Sequence, residues 1–151
     1  MPENGADPTA DRRDVTDGFT VAAANRLLPY LRTTLAEVRA HVQEMQRLHT
    51  EIERLQAVGC RPSGEPILAA DTRACSRQLD AHRATGEQLL RDIAARGCLV
   101  KDIQTGLCDF PATLRGEPVL LCWRVGEPTV AHYHGYQDGF AGRRPLPPGT
   151  P

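Results

Sequence analysis

The sequence predicts an α+β fold: a long antiparallel helical hairpin, coiled-coil-like, followed on its C-terminal side by a small antiparallel β unit. Three observations predict it. A heptad-like apolar seam runs over residues 21–55, a weaker one follows over 68–93 after a Gly- and Pro-rich break, and the composition changes at Gly97. From Gly97 onward lie five of the seven aromatic residues, eight of the thirteen Gly and the only Lys, and helical periodicity gives way to short strand-like runs.

Residues 1–18 read as a disordered tail. The first seventeen carry five acids, two Arg and two Pro with almost no large apolar residue, too little to offset the entropy of ordering. Residues 19–96 read as the hairpin. Thr20 is placed to cap a helix whose seam is Val21, Ala24, Leu28, Leu31, Leu35, Val38, Val42, Met45, Leu48, Ile52 and Leu55. Pro29 removes one backbone donor and predicts a kink near residues 25–29. A helix over residues 20–58 would be about 55 Å long and needs a partner along its length. Gly59, Pro62, Gly64 and Pro66 break the pattern, and a second helix is expected from about Ile67 to Arg96. Its seam includes Thr72, His82 and Gly86, so the pair should be loose, and a second copy of the chain is expected to complete it as a homo-oligomer.

Residues 97–144 read as the β unit, with strands near Leu107–Phe110, Val119–Val125 and Thr129–Tyr133 and a hairpin connection at Gly126-Glu127-Pro128. Residues 145–151, with four Pro, read as a second disordered tail. The formal net charge is -1, which gives no basic surplus for a nucleic-acid backbone. The longest apolar runs, such as Val119-Leu120-Leu121-Cys122-Trp123, fall far short of the ~20 residues of a membrane span. The acidic N-terminus has no apolar core for a signal peptide, and a cytoplasmic location is expected. The five Cys are odd in number and contain no Cys-x-x-Cys pair, so they read as small buried thiols rather than a disulfide framework or a zinc ribbon.

The β unit carries an unusual run: Val100-Lys101-Asp102, Gly106-Leu107-Cys108-Asp109-Phe110-Pro111, Cys122-Trp123-Arg124-Val125-Gly126-Glu127, His134 and Gly139-Phe140-Ala141-Gly142-Arg143. With Phe19-Thr20 and Asn25-Arg26-Leu27-Leu28-Pro29, it resembles an uncharacterised bacterial domain family of unknown function. That family's pattern is V-K-D, G-L-x-D-F-P, C-W-R-x-G-E, W-H and G-F-x-G-R. The resemblance covers about residues 19–146 and brings no reaction with it. It supports His134 and Glu127 as pattern positions, whereas Cys108 stands in place of an aliphatic residue and His132 is an addition.

The leading chemistry is a metal site. His132 and His134 share a strand face by the period-2 rule, and neutral imidazole is a common ligand for divalent transition metals. A third ligand must come from a loop, with Glu127, Asp109 and Asp138 as candidates. A tight turn at 125–128 would set His132 opposite Leu121 and His134 opposite Val119. Cys122 would then face the other way unless a bulge or a different register intervenes. The competing reading makes both His hydrogen-bonded residues at a sheet edge. Arg124 and Arg143 are candidates for binding a carboxylate or phosphate of a small ligand. Alternatively, ion pairs of the Arg124–Asp109 and Arg143–Glu127 kind pin loops together. A Cys122 nucleophile assisted by His134 is a weaker option. His41 and His82 fall near each other across the hairpin; a bundle metal site there would draw carboxylates from Glu37, Glu44 or Asp80, but no Glu-x-x-His is present, and the competing reading makes them, with His49, surface or seam residues.

These readings combine into a cytoplasmic protein whose β unit binds a small ligand, foremost a divalent transition metal. As a small metalloenzyme, it would use Glu127 or Asp109 as base toward metal-activated water. The alternative is a coiled-coil interaction or assembly protein without catalytic activity.

Overall fold

The computed structural model describes residues 18–151; of the tail expected over residues 1–18, all but Gly18 lies outside them, and Gly18 itself pairs with the sheet. Helix α1 spans Val21–Gln56 and helix α2 spans Ala69–Ala95. They are followed by strands β1 (Leu99–Asp102), β2 (Leu107–Leu114), β3 (Glu117–Arg124) and β4 (His132–His134), a short 3-10 turn at Phe140–Gly142, and β5 (Arg144–Pro145).

α1 starts where Thr20 caps it, the hydroxyl accepting from Ala23 N at 3.0 Å. The helix runs on through Pro29, whose ring is exposed. The Gly59–Pro66 stretch turns the chain, and α2 packs back along α1. The 36 residues of α1 make it ~54 Å long, longer than the sheet that covers its first half.

The five strands form one antiparallel meander in chain order. Alternation gives the sheet two unlike faces. Cys108, Phe110, Ala112, Val119, Leu121 and Trp123 pack on Ala24, Leu28, Leu31 and Leu35 of α1 and Ile93 of α2. The other face presents Asp109, Leu120, Cys122 and His134, all buried as well. The near end of α1 is tied to the sheet by Phe19, whose N–H donates to Pro111 O at 2.7 Å and whose ring meets Phe110 edge-on at 5.2 Å. Gly18 pairs with Ala112 at φ +70, and a side chain there would collide with the Pro111 carbonyl.

The C-terminal residues differ from the tail expected at 145–151. Arg144 and Pro145 pair with Tyr133 and His132, and Leu146 donates its N–H to Ala131 O at 2.9 Å. Two of the prolines sit where the lost donor costs nothing: Pro145 is on the edge strand, and Pro147 follows the last paired residue.

Candidate metal centre

The site forms where β2, β3 and β4 run side by side. Register decides its membership: Asp109 pairs with Cys122, Cys122 with His132, and Leu120 with His134. This is one residue away from the tight-turn expectation, and the slip moves Cys122 onto the same face as both His. The cause is the connection over residues 125–131. It is no tight hairpin but a loop fastened to α1. Asn25 Oδ1 accepts from Val130 N at 2.8 Å, and Arg32 donates to Pro128 O at 3.0 Å. Within the loop, Trp123 Nε1 donates to Glu127 O at 3.0 Å.

Asp109, Cys122 and His134 are 2%, 0% and 3% exposed, and one donor atom from each lies within 4.8 Å of the others. It is the one group of three or more His, Cys, Asp or Glu side chains so arranged among the described residues, and it could hold a metal ion. His134 Nδ1 lies 2.8 Å from the Gly135 carbonyl, and Nε2 lies 3.2 Å from Asp109 Oδ1. A carbonyl only accepts, so Nδ1 carries a proton. In the neutral ring Nε2 is then a bare lone pair facing a carboxylate oxygen. Two acceptors do not attract, so a proton, on the ring or on the carboxyl, or a metal ion belongs between them.

Burial pushes the Cys122 thiol up to about 11, against the opposing pull of the Arg143 guanidinium, whose Nη1 sits 3.9 Å from Sγ. Arg143 also pairs with the Glu127 carboxylate and stacks over Phe140 at 4.5 Å. Burial alone would raise the Glu127 carboxyl; Arg143 and the Arg124 N–H, at 2.9 Å, hold it below the usual value instead.

Of the residues singled out from sequence, the fold thus brings Asp109 and His134 together and adds Cys122, which had been set on the other face. Glu127 engages Arg143 rather than the cluster, as in the loop-pinning alternative, while Asp109 goes to His134 rather than Arg124. Arg124 is exposed, with its guanidinium 5.2 Å from the Phe140 ring. His132 lies beside Cys122, half-buried, and its Nδ1 is buried without a protein partner. Asp138 is exposed and accepts from Gly135 N at 3.1 Å, closing the turn that orients His134.

The family described as "Uncharacterized conserved protein (DUF2203)" matches residues 18–146, and the chain belongs to that family. No curated protein and no solved structure matches it. No helix among the described residues is long and apolar enough to cross a membrane.

Proposed function

For this member of the family, we propose that the β unit is a transition-metal site with Asp109, Cys122 and His134 as protein ligands. The observation that carries the proposal is the orientation of His134. Its Nδ1–H is spent on a backbone carbonyl, as in many metal-binding imidazoles, and its Nε2 lone pair is aimed at a carboxylate beside a thiol. The mixed N, O and S donor set suits Zn²⁺, with a fourth position left for water or a small ligand. Ligation turns the Cys122 thiol into a thiolate, and the neighbouring Arg143 favours that charge. Glu127 keeps Arg143 in place, and Gly135 and Asp138 keep the imidazole turned.

Calorimetry with Zn²⁺ at neutral pH, and cobalt substitution followed by absorbance, test this. The expected result is one equivalent bound with a thiolate-to-cobalt charge-transfer band. Cys122→Ser should remove the band, and His134→Ala should weaken binding by at least about tenfold, with helix content unchanged by circular dichroism. If the wild type binds no ion, the cluster holds a proton instead, and Asp109 and His134 are a buried hydrogen-bonded pair that serves the fold alone.

A second proposal concerns the hairpin. Beyond the sheet, α1 and α2 cover only each other, and Val58 and Ile67 at the tip are 50% and 44% exposed. Self-association through this half would cover them. Light scattering at tens of micromolar should then give a mass above the 16.5 kDa of one chain, and a monomer at that concentration removes the reading.

A further inference from the structure

The hairpin holds a second group of metal-binding side chains, remote in sequence from the β unit. His41 on α1 and His82 on α2 meet across the seam with their Nδ1 atoms 2.9 Å apart and ring centroids 5.1 Å apart. Both are half-buried. One proton serves this contact, so one ring donates through Nδ1 and the other accepts. Among the described residues neither Nε2 has a hydrogen-bond partner, so either ring can move its proton to Nε2 without breaking a protein contact. A cavity of about 310 Å³ adjoins His41, lined also by Met45, Val38, Leu90 and Ile103 and by two charged side chains of opposite sign, Arg83 and Glu87. Met45 stands one helical turn after His41, so the thioether and the imidazole share a helix face.

We propose that His41, His82 and Met45 form an interhelical site for a soft monovalent cation, cuprous copper. All three donors are neutral. The nearby carboxylates, Glu87 on the cavity wall and Glu44 beside His82, are each paired with an Arg, Arg91 at 3.8 Å and Arg47 at 2.5 Å, so the donors leave most of the ion's charge uncompensated, which costs less for one charge than for two. Thioether sulfur selects soft ions, and imidazole accepts them too. Three-coordinate geometry with ~2.0 Å metal–nitrogen bonds separates two nitrogens by about 3.5 Å. From the present 2.9 Å the two nitrogens must part by about 0.6 Å and the rings turn to aim both Nδ1 lone pairs at the ion, and the cavity beside His41 gives that ring room. The proton now between them moves to Nε2 of the donor ring, so ligation releases none. That separates this site from the one at Cys122, where the thiol must lose its proton.

The test is titration of the full chain with cuprous copper under anaerobic conditions, delivered from a weak chelator. It is run on the wild type and on a Cys60→Ser/Cys75→Ser background that lacks the exposed and half-exposed thiols. The readout is site-resolved NMR, since the chain has five His and two Met. One equivalent should shift the His41 and His82 ring signals together with the Met45 methyl signal. His41→Ala and His82→Ala should each abolish these shifts, and Met45→Leu should weaken binding by about tenfold or more. Affinity at this site should change by less than about threefold from pH 7 to pH 9. Copper uptake that leaves these three signals unmoved overturns the inference, as does Met45→Leu binding as tightly as its parent.

Discussion

Replacing Trp123 by Ala probes how the core supports the site. The chain's one Trp is fully buried between the sheet and the helices, in the cluster that includes Leu28, Leu31 and Ile93. Emptying an aromatic site of this kind costs about 3–5 kcal/mol, from lost transfer energy and the cavity left behind. Two further contacts go with the ring: the Nε1–H bond to Glu127 O, worth ~1 kcal/mol, and the Arg32 guanidinium 5.7 Å from the ring. The upper half of the range is therefore expected, with a melting temperature lower by on the order of 10–15 °C for a domain of this size. Trp123→Phe separates the parts, since it keeps most of the apolar volume and deletes the indole donor; about 1–2 kcal/mol is expected. Urea unfolding followed by circular dichroism, with unchanged denaturant slopes, gives both numbers. A cost below about 1.5 kcal/mol for the Ala variant would refute the reasoning. A red, solvent-like emission maximum of the native protein would do the same.

Three other outcomes follow from the geometry. Because the Cys122 thiol is pushed up to about 11 and must ionise on ligation, Zn²⁺ affinity should rise by about tenfold per pH unit between pH 7 and 9; a flat calorimetric profile would exclude Cys122 as a ligand. Glu127 has its carboxyl held below the ordinary 4.5, so its ion pair stabilises the fold above that pH and is lost as pH falls below it. Glu127→Gln should accordingly cost about 1–3 kcal/mol at pH 7, and the gap to wild type should close in acid unfolding titrations. Gly106 has φ +68 and its missing side chain would overlap Val125, so Gly106→Ala should lower stability by at least about 1 kcal/mol in thermal melts.

Much of the fold is legible in the sequence because it is written locally. The 3–4 spacing from Val21 to Leu55 needs only a helix's own geometry to make a stripe, and Thr20, Gly59 and Pro66 mark where such a stripe begins and breaks. The switch to Gly, aromatic and β-branched residues after Gly97 likewise announces strands before any contact is known. Asp109, His132 and His134 stand out by residue type alone. What they join was decided by the tertiary structure, because a strand's partner depends on register, and register here is set at a distance. Asn25 and Arg32, some hundred residues earlier, hold the 125–131 loop against α1. That fixes Cys122 opposite His132 rather than one step away, and a single step in a pleated strand exchanges the two faces. The same dependence on distant partners hid β5: Arg144 and Pro145 carry no strand pattern of their own and pair only because β4 offers them an edge.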